Sequence, residues 1–317
     1  MKAALIIASI LLVAGLILGV VGLTLNGFDF EEMNTMKRIQ NTYVIEDAFS
    51  HIAIEASIAK IEIVPATDGI CRVDCEEKDK LYFTVSVSGD TLCIDLVNGT
   101  KWYDFIGVNA GNVSATVYLP ESAYASLSIK NSTGTASVAS GFTFGSATIK
   151  STTGSLRFSG NVTGDLNAKL STGTLTLTDA AVGGNLTMES STGSIKISSV
   201  SVGGTLNVET DTGSVKMNTV TCATLEMKYE TGSVTLTDVL ASEKMEIDGS
   251  TGSLRFERAD APTIKVDTST GSVRGTLRSE KIFYAKSSTG SVNVPRGTQG
   301  GICEIETRTG SIDITIE

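Results

Sequence analysis

A Thr-Gly-Ser/Thr tripeptide recurs ten times between residues 133 and 311 of this 317-residue chain, at an almost constant interval. Its glycines are Gly134, Gly154, Gly173, Gly193, Gly213, Gly232, Gly252, Gly271, Gly290 and Gly310. Successive spacings are 20, 19, 20, 20, 19, 20, 19, 19 and 20 residues. A period of this length and regularity means one small supersecondary unit per repeat, and stacked units that share one core.

The residues around each glycine give the unit its form. Apolar side chains stand seven and five residues before it, as in Leu186 and Met188, and two and four after it, as in Ile195 and Ile197. The one exception among the forty such positions is Gly275. Within each pair the period is two, which is a strand period and not a helical one. The step from five before to two after is odd, yet both ends are apolar, so the chain must turn between them. Glycine supplies the positive φ that such a corner needs. The expectation is an all-β, parallel β-solenoid of ten 19–20-residue rungs over residues 121–317. At about 4.8 Å per rung it makes a rod of roughly 50 Å.

Composition agrees with many small contacts rather than a few large ones: aromatics are 6% of the chain, with 32 glycines and four prolines. The net charge of −10 disfavours a nucleic-acid surface, so no nucleic-acid partner is expected. Four residues before the glycine the side chains are charged, from Lys130 and Lys150 to Glu189 and Glu306, as an outward column should be. Glu189 with Lys196 and Glu209 with Lys216 are candidate pairs across a corner. The corner hydroxyls would stack as two ladders, a pattern that can bind ice or polysaccharide. The plainer reading makes them turn residues bonded to their own backbone. The last rung, Ser311 to Glu317, shows no cap, which leaves an open edge for self-association.

Residues 1–25 read as a signal-anchor, because Ala3 to Leu25 carries no charge and about 20 apolar residues span a hydrocarbon core. Lys2 on one flank, with Asp29, Glu31 and Glu32 on the other, places the N-terminus inside and the bulk outside, since basic residues stay cytoplasmic. Gly15 and Gly19 form a small-xxx-small pair that either packs helices or reflects the ordinary frequency of glycine in such segments. Residues 26–42 read as a juxtamembrane linker, and 43–120 as an irregular β cap of degenerate rungs. Cys71, Cys75 and Cys93 are either bridge-formers or small buried hydrophobes, while Cys222 and Cys303 lie too far apart in rung number to meet. The single histidine, His51, has no ligand-like spacing to them, so no metal site is expected. No cofactor is expected either.

Several motifs then carry a resemblance: the run Ala48-Phe-Ser-His-Ile-Ala-Ile-Glu, the stretch Gly89-Asp-Thr-Leu-Cys-Ile-Asp-Leu, the Val117-Tyr-Leu-Pro before the repeats, and the Thr-Gly-Ser ladder itself. Over residues 43–317 the chain resembles the bacterial putative adhesin family, a β-strand-repeat domain of unknown function. The resemblance implies a β-solenoid, often anchored to a bacterial envelope, and no catalytic residues. An enzyme is not expected from the residues themselves. Asp179 and Asp238 occupy equivalent positions three rungs apart, roughly 14 Å, too far for a carboxylate pair. The expected role is a surface scaffold in the bacterial cell membrane, facing an envelope protein, a cell-wall polymer or its own copies. The alternative is a regulatory component of envelope-stress signalling that acts through a membrane partner.

Overall fold

The computed structural model describes residues 2–25, 36–101 and 112–317. It holds one helix, α1 (Lys2–Leu25), and an otherwise all-β chain whose strands join in one continuous sheet. Residues 26–35, read as linker with Asp29, Glu31 and Glu32, lie outside the described residues.

The rungs stack in parallel with their corner glycines in register. Gly173 pairs with Gly154 on one side and Gly193 on the other, and the four apolar columns pair like with like. Leu186, Ile195 and Ile197 are fully buried, as are Leu206, Val215 and Leu225. At about 0.8 kcal/mol per buried methylene, such repeated small contacts are the main source of stability.

The central rungs, from Gly173 to Gly252, have three straight segments and three corners. The first corner is the glycine. Its backbone there has φ from +129° to +156° in all ten repeats, a region that L side chains rarely adopt. A Cβ at Gly193 would lie 1.8 Å from the carbonyl oxygen of Gly173, so stacking as well as torsion demands the bare backbone. The second corner, six residues later, is left-handed without glycine: Asp179, Ser199, Thr219, Asp238 and Arg258 have φ between 51° and 57°. Asp tolerates this region, whereas Thr and Arg are held there by the ladders on both sides.

The third corner is a glycine pair in two rungs, Gly183-Gly184 and Gly203-Gly204. Here Asp165 Oδ1 accepts from the Asn185 amide at 2.7 Å and Asn185 Oδ1 from the Thr205 amide at 2.9 Å. Between the second and third corners runs a third inward face, Val200 and Val202 in one rung, Val220 and Cys222 in the next, all buried. The four apolar columns named above do not include this face.

The regular stack begins well before residue 121. The strand His51–Pro65 is itself a rung, with Ala59 in the corner place beneath Gly134. On its far side two strands share one level, Thr91–Asn98 against its first half and Ser114–Leu119 against its second. Antiparallel strands then close this end: Leu81–Ser88 on the former, and Arg72–Lys78 followed by Arg38–Val44 on the latter. Residues 38–42, read as linker, therefore belong to the cap. Glu77 is buried there, its oxygens accepting from Asn41 Nδ2 and the Phe83 amide at 2.6 and 2.7 Å.

At the other end the rungs do not follow chain order. The Gly252 rung carries the Gly271 rung, but the next level is the Gly310 rung, and the Gly290 rung lies outside it. The expectation of an open C-terminal rung is corrected accordingly. Ile312 and Asp313 pair on both sides while Ile314–Ile316 pair only with Gly275–Leu277, and the outermost edge is Lys281–Thr289 with Val292–Asn293. The register slips between Phe256 and Ala259 beside Gly275, just before the chain steps outward. Gly275 departs from the apolar pattern for this reason: a Cβ would lie 1.8 Å from the Phe256 carbonyl oxygen. Lys281, with 3% side-chain exposure, fixes the outer rung through Asp260 at 2.6 Å.

The five cysteines are free thiols. Burial pushes Cys71 to about 11 and Cys75, Cys222 and Cys303 to about 12, which makes them inert core residues. Among its described residues helix α1 gives none to the buried core, and large side chains such as Leu11 and Leu18 are exposed. Among the described residues no helix is long and apolar enough to cross a membrane.

Candidate interaction groove

Just before each first corner the chain bends out of regular pairing. Between the Gly173 and Gly193 rungs the register passes from Leu170↔Ser190 to Thr172↔Thr192, skipping Ser171 and Ser191. The repetition of this bend from rung to rung cuts a groove along the rod, about 770 Å³ in volume, running from Glu55 to Asp211. It crosses six rungs, or about 24 Å.

Its walls and floor follow from three sequence columns. Four residues before the glycine stand the charged side chains Lys130, Lys150, Lys169, Glu189 and Glu209, with Glu55 on the Ala59 rung. Two before it stand the exposed hydroxyls Ser132, Thr152, Ser171 and Ser191. Between them, on the floor, are Asn131, Ser151, Leu170 and Ser190, all buried.

The charged column pairs along the rod rather than around the corner. Lys130 Nζ meets Glu55 Oε1 at 2.5 Å, a bond that holds the Lys130 ammonium above its usual range, and Lys169 Nζ meets Glu189 Oε1 at 2.7 Å. Glu189 therefore takes Lys169 where Lys196 was expected. Stacking sets like positions about 4.8 Å apart, closer than any partner across the corner. Lys150 has no ion-pair partner among the described residues.

In three rungs the floor column bonds to the carbonyl of a neighbouring corner. Asn131 Nδ2 donates to the Ala59 carbonyl at 3.0 Å, Ser287 Oγ to Gly310 at 2.8 Å and Thr307 Oγ1 to Gly271 at 3.3 Å. Ser151 Oγ and Ser190 Oγ make no such bond, and Asn131 Oδ1 has no partner either. A buried hydroxyl without a partner costs about 1–3 kcal/mol, so each is a site held in reserve or a strain. Sequence reasoning missed this column because its residues look like ordinary small polar turn residues.

The ten glycines build the corner beside this groove and contribute no side chain to it. The corner hydroxyls themselves form links between rungs, Ser194 Oγ to Ser214 Oγ and Ser291 Oγ to Ser311 Oγ, each at 3.2 Å. At the second corner Asp238 is bound by Arg258, Nε to Oδ1 at 2.9 Å and Nη2 to Oδ2, and by Arg278 Nη2 at 2.7 Å. These guanidinium hydrogen bonds hold its carboxyl down to about 2. Asp179 lies on the same corner three rungs away, so the structure does not bring the two carboxylates together. His51 Nδ1 lies 2.7 Å from Ser126 Oγ within the stack. Among the described residues no group of three or more His, Cys, Asp or Glu could hold a metal ion.

Comparison with known proteins follows the fold. The model of the family Toastrack DUF4097 matches residues 49–206 and 203–317. A crystal structure of a putative adhesin from Bacteroides fragilis is 14% identical, with 88% of this chain and 97% of that chain covered and a TM-score of 0.44. A putative adhesin from Parabacteroides distasonis is 11% identical over 88% and 97% of the two chains, with a TM-score of 0.37. A putative lipid binding protein from the same organism is 15% identical over 87% and 96%, with a TM-score of 0.32. No curated protein matches.

Proposed function

Since the chain belongs to the Toastrack DUF4097 family, we propose that it is a non-enzymatic surface scaffold, a rigid β-rod held at a bacterial membrane by α1 and presenting its groove to a partner outside. The observation that carries this reading is the continuous stack itself. One sheet runs from Arg38 to Ile316 with a single buried core. The length of such a stack makes a spacer and a repetitive surface.

What supports the anchor is the 24-residue length of α1, about 36 Å of helix, with exposed apolar side chains wherever they are described. An exposed apolar helix of this length is costly in water and stable in hydrocarbon. The same helix supports the second reading, a regulatory component of envelope signalling, if its partner lies within the bilayer.

Thiol and protease accessibility in intact cells tests the placement. The full-length protein should sediment with membranes, be digested from outside, and be released when residues 2–25 are deleted. Full protection from external protease, or a soluble full-length protein, would contradict it.

A further inference from the structure

We infer that the groove between Glu55 and Asp211 takes one extended, uncharged glycan chain laid along the rod axis. The inference rests on the surface-scaffold reading and adds the ligand class and the residues.

Four features select that chemistry. The groove is open and long, which suits a linear polymer rather than a compact metabolite. Hydroxyls line it along with an equal number of charged side chains, with Ser171 and Ser191 exposed on the rim and Ser151 and Ser190 buried beneath. Sugar hydroxyls are donors and acceptors at once, as serine hydroxyls are. The charges balance: Lys130 and Lys169 are occupied by Glu55 and Glu189. Glu209 and Asp211 follow at one end, so a polyanion meets repulsion there and a polycation meets it at Lys150. Apolar side chains are too few for an acyl chain.

The buried hydroxyls point to a ligand independently of the rim. Ser151 Oγ and Ser190 Oγ are unpartnered, and Ser151 and Ser190 are 8% and 3% exposed. No hydrogen bond fixes either hydroxyl, and both residues line the groove. Asn131 Oδ1 adds an acceptor in the same column. Of the equivalent positions outside the groove lining, Ser287 and Thr307 are engaged with corner carbonyls, whereas Thr210 and Thr268 are unpartnered like Ser151 and Ser190. The groove has no aromatic platform among its described lining, so each sugar binds weakly and affinity grows with chain length.

The test is saturation-transfer NMR of the full-length chain in a sugar-free detergent, with cellohexaose and chitohexaose as neutral probes. Hexagalacturonate and a chitosan hexamer are the charged probes. Neutral hexamers should bind saturably and more tightly than their trimers. Ser171→Trp, which fills the groove from an exposed position, should weaken binding at least tenfold, and Lys216→Trp on the second face should leave it unchanged. No saturable binding of either neutral hexamer, binding of a charged probe alone, or equal loss in the two variants would overturn the inference. The scaffold reading would survive that result if the rod crosslinks to a protein partner through another face.

Discussion

The carbonyl oxygen of Gly271 faces Gly310 so closely that a Cβ on Gly310 would lie 2.0 Å from it, although Gly290 intervenes in the sequence. The last two rungs are thus interchanged. The C-terminal rung is an inserted layer and the penultimate repeat is the end of the rod.

This interchange is open to a disulfide test. Arg274 and Asp313 are exposed partners in adjacent levels, whereas Arg274 and Asn293 stand two levels apart, about 10 Å. A disulfide needs Cα atoms within about 7 Å. The pair Arg274→Cys/Asp313→Cys should oxidise readily, and Arg274→Cys/Asn293→Cys should not. Non-reducing digestion and mass spectrometry reads the result.

A second expectation concerns the corner. Gly193→Ala forces a Cβ against the Gly173 carbonyl oxygen at φ +142°. A side chain in that region alone costs on the order of 1–3 kcal/mol, and the clash adds to it. Urea unfolding should show a loss of at least about 2 kcal/mol. Thr192→Ala, one residue away and exposed, should change stability by less than about 0.5 kcal/mol.

Acid should loosen the second corner. Asp238 ionises at about 2 in the folded chain against 3.8 as its ordinary value. A depressed carboxyl contributes stability above its unfolded pKa, and that contribution is lost as pH falls through the folded one. Melting temperature should therefore fall between about pH 4 and pH 2, and Asp238→Asn should flatten that part of the profile. An unchanged slope in the variant would remove Asp238 as the cause.

Thiol reactivity reports the core directly. Cys71, Cys75, Cys222 and Cys303 are buried with thiols raised to between about 11 and about 12. Iodoacetamide at pH 8 should spare these four in the native protein and modify them in denaturant. Cys93, half-buried, is the one expected to react first.

Much of this was legible in the sequence because a solenoid writes its pairing into its period. The columns of Leu186, Met188, Ile195 and Ile197 reveal two inward faces, and Gly193 marks the corner between them. The third face escaped notice. Val200 and Val202 alternate as clearly as the others, but Ala180, Ala241 and Ala261 dilute the column, and a left-handed Thr219 or Arg258 bears no sequence mark. The rung order was illegible for a different reason. The spacings to Gly290 and Gly310 are ordinary, so a period that fixes register cannot fix order. Only Gly275 hinted at a fault in the stack. The groove was hidden because its floor hydroxyls, Ser151 and Ser190, are distinguished by the bonds they lack.

In-cell crosslinking of the native, membrane-bound protein tests the central claim most directly, because that claim assigns interaction to the rod. The expected result is a set of crosslinks from residues 51–317 to an envelope component or to a second copy, with lysines such as Lys150 among them. Crosslinks confined to residues 2–25, reaching a membrane protein and leaving the rod bare, would contradict it and favour the regulatory reading.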